Sequence, residues 1–147
     1  MFIEQRKFPE QFFNNAFFAD DLFDGLSPAS QSSLRAVKSE KRLAGDKTIF
    51  ESGEHPRDIY ILTEGAAQIL SHAGRPVRSI EPNEILGLTE AISNLPSEVS
   101  AKTVSECRFE CIRRDRLLAF LQTEPAVCFR LLQRLGANLH KLYQLLH

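Results

Sequence analysis

No apolar run in the sequence approaches the roughly 20 residues of a membrane-spanning helix, so no membrane association is expected. Neither charge is in excess. The chain has 18 basic and 19 acidic side chains and a formal net charge of −1, so nothing global recruits nucleic acid or an anionic lipid surface. Cysteine is sparse: three widely spaced residues argue against a disulfide framework and for a reducing compartment. The N-terminal "MFIEQRKFPE" puts charges where a signal peptide needs its apolar centre, which predicts an unprocessed, cytoplasmic chain. No G-x-S-x-G elbow, H-E-x-x-H pair, Walker-type glycine loop or dinucleotide fingerprint occurs, so enzymatic activity is not expected. Internal repeats and low-complexity segments are absent as well.

What remains is an ordinary globular composition, 43% hydrophobic and 25% charged over 147 residues, the length of one domain. The first part, to about Lys41, reads as helical. In "LSPASQSSLRAV", Ser27 is a plausible N-cap and Pro28 takes the first helical position, where its missing N–H is harmless. Leu26, Leu34 and Val37 fit its apolar face. Upstream, Phe8/Phe12, Phe13/Phe17 and Phe18 recur at helical spacings, predicting an apolar stripe on a helical extension over residues 1–21. That stripe is expected to pack on the domain, or else to dock a protein partner.

From Leu43 to about Ile112 the pattern changes to short apolar runs, "TIF", "IYIL", "AQIL", "VRSI" and "CRFECI", separated by glycine, proline and acidic clusters. Closely spaced short strands predict a sandwich, roll or barrel. "SHAGRP" reads as a hairpin connection between the strands carrying Ile69/Leu70 and Val77/Ile80. Beyond Arg114 the helical period returns, with an extended helix over about 125–147. Cys128, Leu132, Leu135, Leu139, Leu142 and Leu146 step by four and three, the spacing of a helix-pairing seam, and Val127, Leu131 and Leu145 widen the stripe. A homodimer through this helix is expected.

That order of elements, with "LFDGLSP", "AGDKTIFESGEHPRDIYILTEGAAQI" and "SECRFECIRRDRLLAFL", resembles the cyclic-nucleotide-binding domain of CRP/FNR-type regulators and kinase regulatory subunits. Glycines 45, 53, 65 and 87 fall at the family's turn positions. The resemblance runs from Leu22 to about His147. It implies a mainly β fold with flanking helices, a β-roll or jelly roll (double-stranded β-helix) followed by a C-terminal dimerisation helix.

The resemblance also implies a phosphate cassette: Phe-Gly-Glu, a short helical turn, then Arg-Ser/Thr-Ala. Backbone amides there nest the cyclic phosphate, the glutamate takes the ribose hydroxyl and the arginine pairs with phosphate oxygens. In this chain the first triplet is Leu86-Gly87-Leu88, and the arginine position falls on Ser97, between Pro96 and Glu98. No arginine lies between Arg78 and Arg108, and Lys102 is the only basic residue there. Glu90 would sit on the short helix rather than at the ribose. Losing the arginine pair removes about 1.5–3 kcal/mol, and an unpaired ribose hydroxyl costs about 1–3 kcal/mol more. Cyclic-nucleotide readout in the usual way is therefore not expected. A different small-molecule effector, against Leu86, Leu88, Thr89, Ser97 and Val99, is an open alternative, as is a protein adaptor role, and a true cAMP or cGMP site is the weaker third.

Other candidates have plainer readings. Cys107 and Cys111 share a strand face with Phe109 but stand about 13 Å apart, too far for one zinc. His55, His72, His140 and His147 are scattered and form no haem or metal set, so no cofactor and no metal are expected. Arg113, Arg114 and Arg116 read as a solvated basic cluster. In CRP/FNR-type regulators a helix-turn-helix domain follows the long helix; no such pattern occurs here, and this chain alone is not expected to bind DNA.

Overall fold

The computed structural model describes residues 16–146. Nine strands among the described residues form two antiparallel sheets. The first contains β1 (Phe17–Phe18), β7 (Glu84–Leu86), β4 (Asp58–Glu64), β9 (Cys107–Arg113) and β2 (Lys38–Leu43), in that spatial order. The second contains β3 (Thr48–Phe50), β8 (Ser100–Thr103), β5 (Ala67–Leu70) and β6 (Pro76–Ile80). Five helices among the described residues flank them: α1 (Ala19–Phe23), α2 (Pro28–Val37), α3 (Leu88–Ser93), α4 (Arg114–Gln122) and α5 (Pro125–Leu146). This is the expected roll with terminal helices, open rather than closed into a barrel.

The alternation of strand side chains sorts the core into two clusters. On β4, Tyr60 and Leu62 face the inside of the roll with Phe50, Ile69, Leu86 and Phe109. Ile59 and Ile61 face the other way, where Leu88, Leu117, Val127 and Leu131 cover them. β4 is thus buried on both faces, which explains why "IYIL" reads as a continuous apolar run.

Two helical expectations are corrected. The N-terminal helical reading extended to about Lys41, but α2 ends at Val37 and Lys38–Leu43 is a strand, paired along its whole length with β9. This edge strand, KSEKRL, leaves most of its side chains exposed, so its sequence carries no apolar alternation; backbone pairing alone specifies it. Phe17 and Phe18 are likewise strand, with Phe17 opposite Ile85 and Phe18 opposite Glu84. Phe17 is buried in the outer cluster. Phe8, Phe12 and Phe13 lie outside the described residues. At α2 the start signal holds, since the Ser30 N–H donates to Ser27 Oγ at 3.1 Å and Pro28 opens the helix.

Gly65, in the turn from β4 to β5, has φ +99°, and a Cβ there would lie 2.2 Å from the Glu106 carbonyl oxygen and 2.8 Å from Cys107 Cα. Both the dihedral and the space demand glycine. Gly65→Ala is expected to cost at least about 1–3 kcal/mol through backbone strain alone. A urea midpoint within error of wild type would contradict this.

Candidate ligand pocket

A cavity of about 900 Å³ opens between the roll, α3 and the inner face of α5. Its walls are mainly apolar and include Phe50, Ile69, Ile85, Leu86, Leu88 and Val99. Gly87, at φ +82°, makes the turn from β7 into α3, and its carbonyl accepts the Ala91 N–H at 2.9 Å. A Cβ at Gly87 would meet the Asp58 carbonyl oxygen at 3.2 Å, so this turn is packed against the β4 backbone.

The cavity brings together Leu86, Gly87, Leu88, Thr89, Glu98 and Val99, while Pro96 and Ser97 stand outside its lining. Leu88 is 2% exposed and joins the outer core with Ile59 and Ala91. Ser97 is buried with its bonds spent locally: its hydroxyl donates to the Val99 carbonyl at 2.7 Å, and its N–H to the Glu54 carbonyl at 2.8 Å. Its own carbonyl accepts the Gly53 N–H at 2.7 Å. Ser97 therefore pins the Gly53 turn.

Sequence reasoning missed Arg78, Glu84 and Asn138, which face the cavity, and it placed Glu90 on the short helix without turning it toward the cavity. Arg78 stands opposite Ile69 on β5, two residues before the buried Ile80, so strand alternation turns it inward. Glu84, 1% exposed, alternates with Leu86 in the same way. The two form a bidentate ion pair, with Arg78 Nη1 to Glu84 Oε1 at 2.9 Å and Nη2 to Oε2 at 2.7 Å. The Glu81 N–H also donates to Glu84 Oε1 at 3.0 Å. The guanidinium is thereby neutralised within the protein.

Glu90, on α3, and Glu98, before β8, carry no cationic partner among the described residues. Burial pushes the Glu90 carboxyl above its ordinary value, partly offset by its own backbone N–H, and the negative charge of Glu98 adds to the rise. The folded state then holds a proton that the unfolded chain has released, so stability falls as pH rises from the unfolded value through the folded one. Glu90→Gln is expected to raise the melting temperature at pH 7 and to leave it nearly unchanged at pH 4. Equal shifts at both pH values would contradict the assignment.

His72 lies at the cavity rim, its Nδ1 2.9 Å from Ser52 Oγ. Lys102 pairs with Asp46 at 2.8 Å and is not part of the lining. Cys107 and Cys111 are buried as free thiols, and burial pushes Cys111 up to about 11, so both are core side chains rather than ligands. The arginine cluster is only partly solvated: Arg113 pairs with Asp115 at 3.0 Å, but Arg114 Nε donates to the Ala91 carbonyl at 2.8 Å and ties α4 to α3.

The six seam residues fall on two faces of α5. Cys128 and Leu135 pack against the core, and Leu142 is half-buried. Leu132, Leu139 and Leu146 are 65%, 58% and 63% exposed, together with Phe129 and Tyr143. No helix among the described residues is long and apolar enough to cross a membrane.

The family model described as "Cyclic nucleotide-binding domain" matches residues 40–124, more than half of the chain. The chain belongs to the cyclic nucleotide-binding domain family. Among curated relatives, it is 25% identical over 124 residues to the CRP-like cAMP-activated global transcriptional regulator of Mycobacterium tuberculosis. That match covers 82% of this chain and 55% of the relative, so the chain spans about half the relative's length. Among solved structures, the Thermus thermophilus catabolite activator protein superposes with TM-score 0.75 at 22% identity, over 86% of this chain and 61% of that one. The sensor domain of the transcriptional regulator DNR from Pseudomonas aeruginosa gives 0.72 at 20% identity, over 90% and 94%. At these identities the two structures speak for the fold. The turn at Gly87, with its left-handed φ, lies inside the matched range.

Proposed function

We propose that this chain is the noncatalytic, cytoplasmic sensor domain of a CRP/FNR-type regulator whose cavity takes a small-molecule effector other than cAMP or cGMP, and that it signals by pairing through α5. The observation that carries the reading is the charge inside the cavity. Its arginine, Arg78, is already paired with Glu84, while Glu90 and Glu98 add unpaired negative charge among the described residues. A cyclic phosphate would enter against two carboxylates with no unpaired arginine or lysine among the described lining residues to receive it.

Support for a signalling route comes from α5, which contributes Leu135 and Asn138 to the cavity and exposes Leu132 and Leu139 on another face. A ligand that repositions the first pair moves the second with it, because both sit on one 22-residue helix. Isothermal titration with cAMP and with cGMP is expected to show no binding tighter than about millimolar, since each 1.4 kcal/mol lost is tenfold in affinity. Low-micromolar binding of either would overturn the proposal.

A further inference from the structure

Resting on the reading of this cavity as an effector site, we propose that its ligand is an apolar molecule bearing an ammonium group, with the cation held by Glu90 and Glu98 and a polar edge met by Asn138. The two carboxylates reach the cavity from different elements, α3 and the segment before β8, and neither has a cationic partner among the described residues. Burial chiefly, and the charge of Glu98 in smaller part, disfavour the charged form of Glu90, so a cation bound between the two carboxylates offsets both.

Asn138 is the independent second mark. It is 8% exposed, lines the same cavity from α5, and makes no side-chain hydrogen bond to another described residue. An amide that buried has its donors and acceptor left for whatever occupies the space. Phe50, Ile69, Leu86 and Val99 supply the apolar wall. An anionic ligand is disfavoured because Glu84 already holds the Arg78 guanidinium at two points. The volume is at the upper end of what single small molecules fill, roughly 300–1,000 Å³.

Three probes of one shape separate charge from fit: tryptamine, neutral indole-3-propionamide and anionic indole-3-propionate, titrated calorimetrically into the full chain at pH 7.5. Tryptamine is expected to bind at least about tenfold tighter than the acid, the scale of one partly solvated charge contact. Glu90→Gln/Glu98→Gln is expected to bring amine and acid close to parity. Asn138→Leu should weaken the amine and the amide alike and leave the preference for amine over acid intact. If the double variant fails to fold, Glu98→Gln alone, at an exposed position, should still reduce the preference. Acid binding as tight as amine, or a preference that survives Glu98→Gln unchanged, would overturn the charge assignment while the pocket reading stands. Absence of binding by all three at millimolar concentration would overturn both.

Discussion

Replacing Arg78 with methionine is expected to remove about 3–5 kcal/mol of stability, the consequence of leaving a buried carboxylate without its partner. Glu84 is 1% exposed, and both of its oxygens are engaged by the guanidinium. At about 2–4 °C per kcal/mol for a chain of this size, the melting temperature should drop by about 10 °C. The double variant Arg78→Met/Glu84→Leu should recover most of the loss, since a buried ion pair replaced by apolar groups of similar volume is often neutral in stability. Urea unfolding of wild type, both single variants and the double variant closes the cycle. A coupling below about 0.5 kcal/mol would show that the pair is solvated and adds little, as surface pairs do. The same pair bears on ligand choice. Glu84→Gln keeps a hydrogen-bonding partner for Arg78 but removes the compensating charge, so anionic ligands should gain affinity in that variant.

The fold was legible because its signals are local and redundant. Glycine at a turn, Pro28 after Ser27 and the change from helical to alternating pattern all point the same way. Lys38–Leu43 was not legible, because an exposed edge strand held by backbone bonds leaves no hydrophobic trace in its side chains. Phe17 and Phe18 misled for the opposite reason: two aromatic residues fit a helical stripe and a strand equally well, and pairing with Ile85 and Glu84 decides between them. At the pocket, reading Leu88 and Ser97 by position located departures from a motif, which is weaker than locating a site. The polar groups that give the cavity its character lie elsewhere in the chain. Arg78 and Glu84 could have been turned inward by strand alternation from Ile80 and Leu86. Glu90 and Asn138 could not, because nothing in the sequence says which face of α3 or α5 meets the roll.

On α5 the outward face, rather than the whole stripe, should carry pairing, and the second large effect follows from this. Phe129, Leu132, Gly136, Leu139, Tyr143 and Leu146 step by three and four, the a/d positions of a paired helix. Five of the six are large hydrophobics left more than half exposed, and the sixth, Gly136, has no atom within 4 Å of where its Cβ would stand, so a second helix could approach closely there. With 22 residues the helix is about 33 Å long, enough for three heptads of contact. In a twofold pair each substitution enters twice. Leu132→Asp/Leu139→Asp therefore removes four leucines from the interface, at about 1.5–3 kcal/mol each, or at least about four decades in dissociation constant. Sedimentation equilibrium should find the wild type dimeric at tens of micromolar and the double variant monomeric with an unchanged melting curve of the roll. Leu135→Asp makes the contrast: that side chain packs on the core and lines the cavity, so its loss should unfold the domain instead of separating intact protomers. A monomeric wild type, or a double variant that still pairs, would remove α5 as the signalling surface and leave the pocket without a route to its output.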